Sequence, residues 1–366
     1  MRFPHPLILG AGPAGCAAAI TLGAYGQDCT LLDRSEPVGD PLCGGFLSWR
    51  TAEQLDMLGV DIRKLGAHPV EKLWLFDGGR SSEVALPHQA FGLSRHALDT
   101  EMRRMAVATG AQFVVDTVRG LENGTVTGAQ AEYEAPTLFL ATGKHDVRGE
   151  SRPRHSPDTT IGIRLRLPAS PARNRLLDGA IELHLFPGGY VGIVVQEGGS
   201  ANICLAVRKS ALTEVGGSPK ALFERLADGN SALAERLGDG WQGAQLDTIG
   251  AVPYGWICRD TSPGVYRLGD QAAVIPSLAG EGNSIAIASG MAAASAYIAG
   301  RSAPEYQRDF AARARRPVRL ASALWHAAET RIGARAAIAL SHLSPGIIAS
   351  FAQGARIPPA RSLAQV

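Results

Sequence analysis

The chain has 366 residues, 45% hydrophobic and 19% charged, which suits a globular protein with a large core and two closely joined domains. A formal net charge of +2 argues against nucleic acid as a general partner. The 5 cysteines show no C-x-x-C spacing, so neither a zinc site nor a disulfide framework is expected, and a reducing, cytoplasmic setting fits.

The first element is an apolar strand, Leu7 to Leu9, that runs directly into G-x-G-x-x-G and an alanine-rich helix. This is the pattern of a dinucleotide phosphate-binding turn. Gly10 makes the tight turn, Gly12 lets a pyrophosphate approach the backbone, and Gly15 lets the helix pack closely on the strand. The helix N-terminus, with Pro13 and Ala14, offers free N–H groups and partial positive charge. A second strand ends in Asp33, about 20 residues on, where an acid binds ribose hydroxyls.

A loop over Arg34 to Cys43 follows, then a helix capped by Ser48 over Thr51 to Leu58. Period-two alternation predicts strands at 72–76 and 82–86 around Asp77-Gly78-Gly79. Ser94 caps a helix over 95–109. Strands are expected at 111–118, 130–134 and 137–140, the last ending at Ala141-Thr142-Gly143. A Pro-, Arg- and Ser-rich crossover at 151–158 leads to an antiparallel meander of strands at 160–167, 181–186, 190–196 and 201–207. Residues 219–237 read as helical. The chain then returns through a strand ending in Gly269-Asp270, and a small-residue helix covers 280–299. The last 60 residues read as mostly helical. Residues 301–366 hold ten arginines but only three acids, Glu305, Asp309 and Glu329. That surplus is either a solvated helix face or a contact with a membrane surface or acidic partner.

The Gly269-Asp270 strand end and the glycine-flanked helix start near Gly280-Glu281-Gly282-Asn283 form a second cofactor signature. An acid at a strand's carboxyl end can hold polyol hydroxyls, and a helix N-terminus can face an electron-rich ring. A ribityl-bearing flavin needs such an element, whereas a nicotinamide cofactor does not.

On Gly10–Gly15, Asp33, Arg95, Ala141-Thr142-Gly143, Gly269-Asp270 and Pro276 to Gly282, the chain resembles the FAD-binding flavoproteins of the glutathione-reductase-2 type. These include aromatic hydroxylases and geranylgeranyl reductases. The resemblance implies an α/β fold: a Rossmann-like FAD-binding domain, an inserted antiparallel β-sheet substrate domain and a helical C-terminus. The expected division is 1–68, 92–150 and 256–300 for FAD, 69–91 and 151–255 for substrate, and 301–366 for the helical segment. It also implies that Gly10, Gly12, Pro13, Ala14 and Gly15 hold the pyrophosphate, and that Asp33 binds the adenosine ribose, with Arg34 and Val118 also at the cofactor. Arg95 falls near the ribityl phosphate, Asp270 at the ribityl or pyrophosphate, and Pro276, Gly280, Gly282 and Asn283 beside the flavin. Ala141, Thr142 and Gly143 complete the cofactor set.

Pro41-Leu42-Cys43-Gly44-Gly45 is similar to the P-x-C-G-G stretch of the geranylgeranyl reductases, as is Pro187-Gly188-Gly189-Tyr190 followed by Ala201 to Leu205. In those enzymes the cysteine loop lies beside the flavin. Val191-Gly192-Ile193 stands where they tend to carry tryptophan, and the lack of W-x-W-x-I-P argues against a halogenase. Cys43 and Tyr190 are the catalytic candidates; Cys43 is otherwise a small packing residue. His145 and His184 are more ordinary as loop or surface histidines, and Trp74 and Phe76 as core or pocket wall. With only one dinucleotide fingerprint, NADPH or NADH would dock transiently, or a protein would donate electrons. Three functions remain open: reduction of carbon–carbon double bonds in a lipophilic substrate, hydroxylation of an aromatic or polyketide-like ring, and non-catalytic electron transfer. The apolar runs at 320–325, 338–340 and 347–348 belong to helices over about 318–356 that either pack plainly against the FAD domain or cover the substrate entrance.

Overall fold

A computed structural model describes residues 1–122, 124–153 and 158–358. In chain order, β1 (Leu7–Leu9), α1 (Pro13–Ala24) and β2 (Thr30–Asp33) form the opening unit. Next come β3 (Phe46–Leu47), α2 (Trp49–Met57), a long hairpin of β4 (His68–Asp77) and β5 (Arg80–Gly92), and α3 (Arg95–Ala108). Then follow β6 (Gln112–Val115), β7 (Gly120–Glu122), β8 (Thr125–Thr127), β9 (Glu132–Glu134) and β10 (Leu138–Leu140). The middle of the chain gives β11 (Thr160–Leu167), α4 (Pro171–Leu176), β12 (Ala180–Phe186), β13 (Gly189–Val195) and β14 (Ala201–Arg208). After them come α5 (Lys209–Thr213), α6 (Pro219–Asp228), α7 (Ser231–Leu237), β15 (Leu246–Val252) and β16 (Val265–Arg267). The chain ends in α8 (Gly282–Ile298), α9 (Ala303–Ala328), α10 (Arg331–Leu343) and α11 (Pro345–Gly354).

A five-stranded parallel sheet in the order β16-β10-β1-β2-β6 carries the nucleotide fold. Its central strands are short and mainly apolar because both faces are covered; Leu7, Ile8 and Leu9 are all fully buried. α1 and α8 share one core with this sheet. Neither helix has a polar stripe, since alanines and glycines let buried helices pack closely on all sides.

The second sheet has eight strands in the order β15-β11-β14-β13-β12-β4-β5-β3. It is mixed rather than wholly antiparallel: β4 runs parallel to β12, Leu73 pairing with Ile181 and Leu75 with Leu183. The parallel pair forms because the hairpin made early in the chain docks on the edge of the later meander. The apolar sides of Leu73, Leu75, Ile181 and Leu183 share one face, while Trp74, Phe76, Glu182 and His184 share the other.

The other departures from the sequence reading have local causes. The strand expected at 111–118 ends at Val115, because the buried Asp116 carboxylate turns the chain. It accepts from the N–H groups of Thr117, Ala129, Gln130 and Ala131 and from the Tyr133 hydroxyl at 2.8 Å. That hub anchors the unforeseen three-stranded sheet β7-β8-β9. The helix at 219–237 is two helices, because the Asn230 side chain accepts from Leu233 N–H and starts a new one. Strand β15 was not anticipated; its sequence, Leu-Asp-Thr-Ile-Gly-Ala-Val, lacks alternation, and its pairing to β11 carries an irregularity. Residues 154–157 of the proposed crossover lie outside the described residues, as does the chain beyond 358.

Ser48 and Ser94 cap α2 and α3 as read from the sequence. α9 opens with a capping box between Ser302 and Glu305. Among the described residues no single helix is long and apolar enough to cross a membrane; Arg331–Leu343 with Gly346–Gly354 reaches that apolarity only as a pair bent by 117°.

Candidate active site

The carboxyl ends of β1, β2, β10 and β16 deliver Gly10, Asp33, Ala141 and Gly269 to one edge of the parallel sheet, where ligands of open α/β sheets bind. A cavity of about 1310 Å³ begins there, passes the Pro41–Gly45 loop and reaches the C-terminal helices. Small-molecule pockets are usually about 300–1,000 Å³, so this one has room for a dinucleotide and a second ligand.

Of the residues singled out from sequence, Gly10, Gly12, Pro13, Ala14, Asp33, Arg34, Cys43, Gly44, Arg95, Val118, Ala141, Thr142, Gly143, Tyr190, Gly269, Asp270, Gly280, Gly282 and Asn283 line this cavity. Gly15 and Pro276 do not. Gly15 works from behind: a Cβ there would sit 1.9 Å from the Gly10 carbonyl oxygen. Pro276 is buried and opens the turn that carries Ser277 and Gly280, and it is Ile275 and Ser277 that reach the cavity wall.

The residues fit FAD. Gly10 has φ +112°, and the open backbone from Gly10 to Ala14 leaves a cradle at the α1 N-terminus. Asp33 accepts from Ala11 N–H at 2.7 Å and lies 3.4 Å from the Arg103 guanidinium, so the acid is held at the strand end facing the cavity. The Arg95 guanidinium is fixed by two 2.6 Å hydrogen bonds to the buried Asp99 and lies beside Gly12, where a Cβ would be 3.5 Å from its Nη2. Asp270 lines the cavity with a carboxylate that has no hydrogen-bond partner among the described residues, as an acid awaiting ligand hydroxyls would. Replacing Asp270 with alanine is therefore expected to weaken FAD retention by about 1–3 kcal/mol while leaving circular dichroism unchanged. Flavin content after gel filtration measures this, and full occupancy would refute the role.

Beyond the cradle, the Cys43 loop is tied to the second sheet by Asn202 Nδ2 donating to the Cys43 carbonyl at 3.0 Å. Gly45 N–H lies 3.5 Å and Asn283 Nδ2 3.8 Å from the Cys43 Sγ, so the thiol sits between its own loop and the α8 N-terminus. Tyr190 donates to Ser277 Oγ at 2.8 Å, and Tyr254 bonds the same hydroxyl at 2.6 Å. Burial raises both phenols, Tyr254 to about 12 and Tyr190 well above the ordinary value, so both stay protonated at neutral pH. Burial likewise pushes the Cys204 thiol, on the cavity wall, up to about 12. Sequence spacing gave no sign of Ser277, Tyr254 or Cys204 as neighbours; they come from the turn before α8, the segment after β15 and β14 respectively.

The two histidines separate. His145 lies at the cavity mouth, 3.5 Å from Arg34, and partial desolvation there together with Arg34, Arg152 and Lys144 holds its pKa down. His184 faces away from the cavity. Its ring stacks 4.4 Å from Phe76, contacts Glu182 at 3.0 Å and lies 3.2 Å from Asn230, while Arg236 pairs with Glu182 at 2.9 Å. That cluster pins α7 to the back of the sheet. Trp74 and Phe76 stack on this same face, and it is Leu73 and Leu75 that reach the cavity.

Fold and site together define an FAD-dependent oxidoreductase, and comparisons with known proteins agree. Residues 5–136 match the family described as FAD binding domain. The chain is 26% identical to digeranylgeranylglycerophospholipid reductase 2 of Methanopyrus kandleri, over 75% of this chain and 72% of that one. It is 26% identical to menaquinone reductase of Mycolicibacterium smegmatis, over 79% and 75% respectively. Among solved structures, PqsL, a probable FAD-dependent monooxygenase from Pseudomonas aeruginosa, shares the fold with a TM-score of 0.69 at 15% identity, covering 92% of this chain and 99% of that one.

Proposed function

We propose that the protein reduces carbon–carbon double bonds of a lipophilic, isoprenoid-like substrate, as a flavoprotein of the glutathione-reductase-2 type. One observation carries this reading. Past the Cys43 loop the cavity continues between Leu73, Leu75, Leu183 and Leu185 on the sheet and Leu324, Ala337, Ile348 and Phe351 on α9 to α11. A compact aromatic ring needs no such apolar length, and a prenyl chain does. The names of the relatives, reductases of a prenylated lipid and of a prenylated quinone, support it.

In this reading segments 1–68, 92–150 and 256–300 hold FAD, segments 69–91 and 151–255 shape the substrate compartment, and 301–366 covers it. Bound FAD supplies the reducing equivalents. The apolar walls exclude water and align the chain. Cys43 and Tyr190 are proton-bearing groups on the cavity wall, and Ser277 holds the Tyr190 hydroxyl in place. NADPH or NADH, docking transiently, or a protein donor recharges the cofactor. The protein works in the cytoplasm, with its basic C-terminal helices in peripheral contact with a membrane surface.

The test is anaerobic. Photoreduced protein mixed with geranylgeraniol should reoxidise and yield a saturated bond, and Cys43→Ser should slow that step by about tenfold or more. Substrate-linked oxygen consumption with phenols would instead mark an aromatic monooxygenase. Reoxidation by a protein acceptor alone would mark an electron-transfer subunit. Normal turnover by the Cys43 variant would make that cysteine a packing residue.

A further inference from the structure

A second concavity, of about 690 Å³, lies between α9 and the outer side of α11. Arg315, Arg316 and Arg319 line it, together with Leu320, Ile347 and Phe351. All three arginines are exposed, and none forms an ion pair among the described residues. The acids nearest along the chain are engaged elsewhere, Asp309 with Arg301 and Glu329 with Arg208. No carboxylate lines the groove. Like charges one turn apart on a helix repel, so this arrangement costs stability unless an anion is recruited.

Phe351 lines both this groove and the large cavity. α11 is thus a wall one helix thick: Ile348 and Ala352 face the cavity, Ile347 and Gly354 the groove. None of its described residues is fully buried, and the chain is anchored just beyond it, where Arg356 pairs with the buried Glu281. A charged mouth and an apolar interior meet across one aromatic side chain.

We infer that this groove is the headgroup end of the substrate port. An amphiphile with an anionic head, phosphate or carboxylate, rests the head on Arg315, Arg316 and Arg319 and passes its apolar chain beside Phe351 into the cavity. Guanidinium forks match both oxyanions in a bidentate manner, and at an exposed site their attraction is screened by salt. The inference rests on the lipophilic-substrate reading and adds the charge of the head, which separates a phospholipid-like substrate from a neutral quinone.

The experiment reads binding, not turnover. FAD-loaded protein is titrated calorimetrically with dodecyl phosphate and with dodecanol, both below micelle concentrations. Wild type should prefer the phosphate by about tenfold or more, and added salt should erode the preference. The triple variant R315Q/R316Q/R319Q, all surface changes, should lose the preference while binding dodecanol as before. F351W should weaken both probes by narrowing the passage. Equal wild-type affinity for the two probes overturns the inference. So does a triple variant that keeps its preference for dodecyl phosphate but no longer binds phosphatidylglycerol vesicles, because the arginines would then serve membrane docking. If geranylgeraniol reoxidises the reduced protein yet no phosphate preference exists, the reductase reading stands and the port falls. If the preference exists without alkene reduction, the reverse holds.

Discussion

Gly15→Ala should yield a colourless protein that is destabilised by about 3 kcal/mol or more, at the upper end of overpacking costs. The added methyl would stand 1.9 Å from the Gly10 carbonyl oxygen and 3.2 Å from Ile8 Cγ2. The nearest atom is backbone, so no rotamer change relieves it. The α1 N-terminus must lift from β1, and the amides that form the phosphate cradle move with it. Gly12→Ala is the contrasting case. Its methyl would meet only Arg95 Nη2 at 3.5 Å, so the fold tolerates it, but it projects into the cradle. Urea unfolding and flavin absorbance, measured on both variants, separate the effects. Gly12→Ala should be stable and flavin-poor, and Gly15→Ala unstable and flavin-free. A yellow, stable Gly15→Ala protein would refute the packing argument.

What the sequence made legible were features whose causes are local. The glycine turn, the strand end at Asp33 and the caps at Ser48 and Ser94 are each written within a few residues, and each has its counterpart in the structure. The period-two runs of β4 and β5 were equally plain, though the strands extend beyond them to Gly92. What was not legible depends on partners far along the chain. Nothing near Leu73 says that it will lie parallel to Ile181, yet that pairing puts Leu73 and Leu75 rather than Trp74 and Phe76 on the cavity wall. Asp116 looks like any loop acid until five donors converge on it. The meeting of Tyr190, Ser277 and Tyr254 spans three segments with no shared motif. The cradle was therefore readable residue by residue, while the substrate compartment was readable only as composition.

Arg356→Ala should cost about 3–5 kcal/mol at neutral pH, because it strands a buried carboxylate. Arg356 Nη1 donates to Glu281 Oε1 at 2.6 Å and to the Ala279 carbonyl at 2.7 Å, and its guanidinium lies 4.4 Å over the Trp49 ring. The Glu281 side chain is fully buried. Glu281 stands at the start of α8 between Gly280 and Gly282, both on the cavity wall, so the C-terminal arm is locked to the element that would face the flavin. Burial holds the Glu281 carboxyl above its ordinary range, and the Arg356 charge opposes that rise. Without Arg356 the rise grows. A carboxyl whose folded pKa lies above the unfolded one, about 4.3 for glutamate, favours the folded state most below that value and loses the benefit as pH climbs through the folded pKa. The deficit of Arg356→Ala relative to wild type should therefore be largest at neutral and alkaline pH and shrink on acidification. Adding Glu281→Gln should recover much of it, since a neutral amide needs no counter-charge. Denaturant unfolding of wild type, single and double variants across pH measures all three expectations. A single variant as stable as wild type at neutral pH, or a deficit that widens in acid, would show that the Arg356–Glu281 pair does not hold the C-terminal arm in place.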